Sequence, residues 1–241
     1  VPLIRLSLVQ QHCQKARFAD NLASTAKFAA GTDADIVCFP EMSLTGYLDP
    51  AVHADSVLDL DSAQVRQFCA LSAGRTLIAG IVEHNSAGKP FITQIVATDG
   101  KLAGVYRKIN VAPDEEDAFA AGSERPVFEA AGVRFGIAVC YDVGHGDLFD
   151  AYGQAGAELV LLAAAPGLTA SRKAATGAPV SSGGAVNAGN TSRIPPSGTE
   201  SGSAWRPSPG VPSTRTSPAA VTCSRRTARS SRKPPTTPSR F

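Results

Sequence analysis

The 241-residue chain has no closely spaced pair of cysteines. Its five, Cys13, Cys38, Cys69, Cys140 and Cys223, are odd in number and scattered, which argues against a disulfide scaffold or a thiolate metal site. A reducing compartment is expected, and most such thiols serve as small buried apolar groups. No apolar run approaches the roughly 18–20 residues that cross a bilayer, so no membrane segment is expected. The opening VPLIRLSLVQ is broken by Arg5, lacks a charged leader and a cleavage site, and reads as a first strand. A cytoplasmic location follows as the expectation.

Acid is almost missing from the last third. Residues 167–241 hold 11 Lys and Arg but one acid, Glu200, whereas residues 1–166 hold 12 basic residues against 20 acidic ones. The formal charge of +2 therefore hides a negative segment followed by a strongly positive one. Large apolar residues are missing there too: 10 prolines, 14 serines and 10 threonines accompany one leucine, one isoleucine and one phenylalanine. Repeated proline breaks helices and central strands, and so few apolar groups cannot offset the entropy of ordering the chain. The segment reads as a low-complexity basic tail. A polyanion is a conceivable partner for its charge. However, basic residues interleaved with aromatics are absent, so nucleic acid is not expected.

The first 166 residues read differently. An apolar run over 3–9 precedes an alanine-rich stretch, Ala16 to Ala30, with Phe18, Leu22, Ala26 and Ala29 at helical intervals. Gly31 is a natural stop, and the strand-like DIVCF (35–39) ends at Pro40. Val65, Phe68, Cys69 and Leu71 mark a second helix, and TLIAGIVE (76–83) another strand. Residues 91–98 and 102–108 suit a hairpin about Asp99-Gly100, and 126–129 and 133–140 a pair about Ala131-Gly132. A helix over about 147–154 and a buried strand over 158–164 follow. This is an α/β pattern with helices over mixed sheets. Periodicity leaves open whether there is one sheet or two.

Three side chains are candidates for chemistry, although taken singly Glu41 suits a surface loop and Lys108 a solvated face. Cys140 ends the apolar strand 133–139, where a nucleophile is held rigidly beside free backbone N–H groups. A thiol attacks as thiolate and needs a base or positive field nearby. Glu41 follows DIVCF at a strand end, where ligands gather in α/β sheets, and a desolvated carboxylate there can serve as general base. Lys108, in VYRKIN, offers an ammonium for an oxyanion, although its neighbour Arg107 competes for the position. Adjacent strand residues point to opposite faces, so only one of the two enters the cleft.

PEMSLTGY, YRKIN and VCYD resemble the glutamate, lysine and cysteine motifs of the nitrilase superfamily of carbon–nitrogen hydrolases. They stand in that family's order, 67 and then 32 residues apart. The resemblance implies a four-layer α-β-β-α sandwich and a cysteine-dependent hydrolase of non-peptide carbon–nitrogen bonds. An amidase is preferred, with a nitrilase, a carbamoyl-amide hydrolase or an inactive homologue as alternatives. Glu41 would be the base, Cys140 the nucleophile and Lys108 the oxyanion stabiliser, joined by the N–H of Tyr141. A supporting glutamate is expected in INVAPDEEDAFAAG, assigned to Glu115 by spacing from Lys108 and by Phe119 and Gly122, with Glu116 as rival. No metal or organic cofactor is implied. A small amide or nitrile is the expected partner, with homo-oligomers if the fold is complete.

Two departures from the family pattern stand out. After the cysteine, His145, Gly146 and Asp147 replace a Phe-Pro-Glu triplet, and Asp150 stands where many relatives have Arg. Asp147 could still cap the following helix, and His145 suits a turn or pocket edge better than a base. Beyond 166 the family's second-half motifs dissolve. A change of reading frame between about 167 and 190 is the simplest account. It fails if the other two frames of the nucleotide sequence hold no family-like continuation.

Overall fold

The computed structural model describes residues 3–165. Eight strands and three helices alternate: β1 (Leu6–Leu8), α1 (Phe18–Ala30), β2 (Ile36–Cys38), α2 (Ala63–Ala70), β3 (Thr76–Glu83), β4 (Phe91–Thr98), β5 (Lys101–Arg107), β6 (Phe128–Ala130), β7 (Val133–Val139), α3 (Gly146–Gln154) and β8 (Leu159–Ala163). None of these helices is long and apolar enough to cross a membrane.

Local chemistry sets the boundaries. The backbone N–H of Gly31 closes α1 on the carbonyls of Lys27 and Phe28. The Ser62 hydroxyl accepts from the Val65 N–H and starts α2. Both hairpins use two-residue turns with two positive φ angles: Asp99 (50°) and Gly100 (79°), then Ala131 (51°) and Gly132 (74°). Such primed turns match the right-handed twist of the strands they join.

The strands form two sheets, which resolves the question periodicity left open. One has the order β1-β2-β3-β4-β5, parallel through β3 and antiparallel thereafter; the other is β6-β7-β8. Alternation along the first sheet divides its side chains cleanly. Val37, Leu77, Ala79, Ile81 and Ile95 join a core with Val65 and Phe68 of α2 and, at its margin, Phe18 and Leu22 of α1. Ile36, Ile78, Val82, Ile92 and Val96 join a second core with Phe135, Ile137 and Val139 of β7. Phe128 reaches the first sheet at Gly104, where a Cβ would stand 2.9 Å from its ring. On the far face of β7, Gly136 makes room for the Tyr152 ring of α3, whose hydroxyl donates to the Ile137 carbonyl at 2.7 Å. Helices, sheet, sheet and helix therefore stack as the four-layer α-β-β-α sandwich expected.

The segment 167–241, with its frame-change reading and basic tail, lies outside the described residues.

Candidate active site

The chain 40–47 is laid along β3 like an extra strand. Leu44 N–H donates to the Gly80 carbonyl at 2.8 Å, the Ser43 hydroxyl accepts from Gly80 N–H at 2.9 Å, and Thr45 Oγ1 accepts from Val82 N–H at 3.2 Å. Gly80 has to be glycine. A Cβ there would lie 2.8 Å from Met42 Cα and 2.9 Å from the Glu41 carbonyl carbon. This lashing fixes Glu41 at the end of β2 with its carboxylate turned into the space between the sheets.

Lys108 stands one residue beyond β5. Its backbone is pinned by its N–H to the Ile92 carbonyl and by Gly122 N–H to its own carbonyl, at 2.9 and 2.8 Å. Its fully buried ammonium donates to Glu41 Oε1 at 2.9 Å and to Glu115 Oε2 at 2.7 Å. Arg107 takes the opposite face, as strand alternation requires. Its guanidinium forks onto buried Glu83 at 2.8 and 2.5 Å, and lies 5.0 Å from the Phe91 ring centre. Strand alternation alone left Arg107 and Lys108 in competition, whereas the family resemblance named Lys108; register turns Lys108 inward.

Glu115, the spacing-based choice over Glu116, is buried at 4% exposure and holds more than the lysine. Its Oε2 also accepts from Ala112 N–H at 3.1 Å, and its Oε1 accepts from the Tyr47 hydroxyl. Glu116 faces outward and lines an open cleft of about 510 Å³ together with Ile109, Val111, Phe119, Tyr141 and His145.

Cys140 leaves β7 with φ of 45°, the left-handed region that side chains rarely occupy, and opens a 3-10 turn, Cys140–Gly144. A buried carboxylate sustains this strain. Asp142 Oδ2 accepts from Val139 N–H at 2.8 Å and from the Tyr106 hydroxyl at 2.7 Å, while Oδ1 takes Asn110 N–H and Nδ2, both at 2.9 Å. Asp142 thus ties the cysteine turn to both flanks of the lysine. Reading the motifs separately hid this joint, although Tyr106, Asn110 and Asp142 all lie in the quoted YRKIN and VCYD stretches. Tyr47 was overlooked in the same way inside PEMSLTGY.

Tyr141 has an exposed side chain, its ring edge-on to His145 with centroids 5.3 Å apart. His145 precedes α3 and borders the cleft, as a turn residue would. Asp147 lies in the first turn of α3, where an acid suits the helix end, and 3.5 Å from the Arg125 guanidinium. Cys38 and Cys69 are buried core thiols, whereas Cys13 is only half-buried.

Burial and charge tune the cluster. Burial pushes the Glu41 carboxyl up to about 7 against the opposing pull of Lys108, while the neighbouring Glu115 charge adds to the rise. The Glu41 carboxylate is held by Lys108 and, at 3.3 Å, by the Ala165 N–H just past β8. Burial also pushes the Cys140 thiol up to about 11. Glu41 acts in the same direction, by its charge and by a hydrogen bond with the thiol, and Lys108 opposes it. Burial works against the Lys108 ammonium, but its two carboxylates prevail and raise its pKa above the ordinary lysine value.

Residues 5–184 match the carbon-nitrogen hydrolase family model. The chain belongs to the carbon–nitrogen hydrolase family. Among relatives, it is 28% identical to the omega-amidase NIT2 of Danio rerio over 182 residues, which is 68% of this chain and 64% of that protein. It is 30% identical to a Pseudomonas protegens protein described as a hydrolase in the pqqF 5' region, over 67% of this chain and 59% of the relative. The chain thus spans less than two thirds of either relative's length. The fold is similar to that of a mutant Nesterenkonia AN1 amidase from the nitrilase superfamily, with a TM-score of 0.62 at 23% identity, covering 68% of this chain and 65% of that one. Like its relatives in fold, this carbon–nitrogen hydrolase family member sets helices on both outer faces of paired mixed sheets.

Proposed function

We propose that the chain is a cysteine-dependent amidase of the carbon–nitrogen hydrolase family, releasing ammonia and a carboxylic acid from a small amide. One observation carries the reading: two carboxylates, an ammonium and a strand-end thiol converge in a buried cluster. Glu41 accepts the thiol proton as Cys140 Sγ attacks the amide carbon. The Lys108 ammonium and Tyr141 N–H stabilise the resulting oxyanion. The C–N bond breaks as Glu41 returns the proton to nitrogen, and ammonia leaves a thioester. Glu41 then takes a proton from water, whose oxygen attacks the thioester carbon; the acid departs and the thiol is reprotonated. Glu115 holds the ammonium in place throughout.

The thiol at about 11 is protonated at neutral pH, so its ionisation accompanies attack. Glu41 works as a base only when ionised, and with its pKa at about 7, activity declines as pH falls through neutrality. Amide over nitrile chemistry draws support from similarity to the omega-amidase of Danio rerio and to an (R)-stereoselective amidase of Pseudomonas sp. A Nesterenkonia amidase structure of similar fold shows covalent addition of the acetamide moiety of fluoroacetamide at the active-site cysteine. The unpaired thiols favour a cytoplasmic setting.

A second reading, an inactive homologue, draws on the departure of residues 167–241 from the family's pattern in composition and motifs. It keeps the division into a hydrolase part, 1–166, and a basic segment, 167–241, and the reading of a frame change between about 167 and 190. Ammonia release from small aliphatic amides, carbamoyl amides and nitriles, compared with Cys140→Ala, separates the two. Turnover lost in the variant supports the amidase; a folded chain silent on every substrate supports the inactive homologue.

A further inference from the structure

Glu115 reaches Lys108 with one oxygen only. Oε2 takes the Lys108 ammonium at 2.7 Å and Ala112 N–H at 3.1 Å, while Oε1 takes the hydroxyl of Tyr47. Tyr47 comes from the chain that carries Glu41, at 7% exposure, while Glu115 lies at 4% and Lys108 at 0%. The chain thus runs Tyr47 hydroxyl, Glu115 carboxylate, Lys108 ammonium, Glu41 carboxylate, and closes on the backbone between Glu41 and Tyr47. The titratable groups facing it are these four and the Cys140 thiol, which the charges of Glu41 and Glu115 both reach.

We propose that Tyr47 is a positioning residue of the reaction: its phenol fixes the Glu115 carboxylate in place and so holds Lys108 between two carboxylates. This rests on the amidase reading of the same cluster. Without the phenol the buried Oε1 has no donor, and the Glu115 carboxylate is free to turn away from the ammonium in search of one. With Glu115 turned away, Lys108 would face Glu41 alone. Glu41 would then lose the negative neighbour that helps hold its pKa up and would gain an undivided cation. It would become a weaker base, ionised at lower pH. Tyr47 therefore acts on the base from the far end of the chain, without touching substrate.

The test compares the full chain with Tyr47→Phe, Glu115→Gln and the double variant, by two pH profiles. One is ammonia release from the best amide. The other is the rate of Cys140 alkylation by iodoacetamide, read by mass spectrometry, which needs no turnover and stands even if the amidase reading fails. Tyr47→Phe is expected to move the near-neutral inflection of both profiles to lower pH. It should lower kcat by roughly ten- to a hundredfold, the scale of a misplaced catalytic group, with KM changed less than about twofold. Glu115→Gln should move the inflection the same way, and the double variant no further, because the hydroxyl works through that carboxylate. Fluorotyrosine introduced at Tyr47, which keeps the hydroxyl in nearly the same shape, should keep the parent inflection; a shift there like that of Tyr47→Phe would overturn the assignment to the hydrogen bond. Inflections of Tyr47→Phe that coincide with those of the parent chain, or effects of Tyr47 and Glu115 that add in the double variant, overturn the proposal.

Discussion

At the scale of single residues, burial decides charge. Glu41 has a folded pKa of about 7 against an ordinary 4.5, so the folded state takes up its proton more readily than the unfolded chain. The stability tied to this group is present in full below pH 4.5 and is lost as pH rises through about 7. Glu41→Gln removes that dependence. The variant's melting temperature, measured relative to the parent, should climb between those two pH values; a constant difference would show that Glu41 is not strained by ionisation. Gln94 is a second case. It is fully buried, its amide N–H reaches the Pro40 carbonyl at 3.4 Å, and its Oε1 has no partner among the described residues. An orphan acceptor costs stability, and the Pro40 carbonyl keeps Ser43 N–H at 3.2 Å. Gln94→Met should leave stability unchanged or raise it by up to about 1 kcal/mol, read from urea melts. A loss beyond about 1 kcal/mol would count against the orphan.

Between elements, placement depends on how irregular segments are fastened to regular ones. The stretch 40–47 holds its form because Ser43, Leu44 and Thr45 bond to β3 at Gly80 and Val82. Gly80→Ala would drive a methyl group into the backbone of Glu41 and Met42. Because β3 is paired with β4 along its whole length, the lashed segment is the part that yields. We expect turnover to fall by about a hundredfold, the cost of shifting a catalytic group by about an ångström, while far-UV dichroism stays that of the parent. Turnover equal to the parent would show that the segment absorbs the methyl without moving Glu41. Sequence reading found strands 76–83 and 91–98 at their observed limits, because each is a sustained apolar run bounded by turn residues. It extended the next strand through Lys108, whereas β5 stops at Arg107 and the lysine belongs to the following loop. Hydropathy does not register the bond from Gly122 to the Lys108 carbonyl that takes this residue out of the ladder.

In the whole molecule, the site exists only because two sheets face each other. Glu41 and Lys108 come from the five-stranded sheet and Cys140 from the three-stranded one, so packing between sheets sets their separation. Phe135 lies fully buried in the core that joins them, paired with Phe128 at 5.6 Å between ring centres. Phe135→Ala should cost about 3–5 kcal/mol in denaturant melts, the range for emptying a buried aromatic site. A cost below about 1 kcal/mol would mean the sheets do not depend on this contact.

The sequence by itself determined the α/β class and the hairpins and singled out Glu41, Lys108 and Cys140 as candidates, since periodicity, turn chemistry and ordered motifs are local properties of the chain. It also placed Glu115, by counting along a loop. Only the tertiary structure decided how the strands divide between two sheets, how register turns Lys108 inward and Arg107 outward, and that Asp142 braces the cysteine turn through Tyr106 and Asn110. Tyr47 and Glu115, 68 positions apart, meet for the same reason. Such pairings depend on which strand ends the packed sheets bring together, and a side chain's burial and charge partners are properties of that packing.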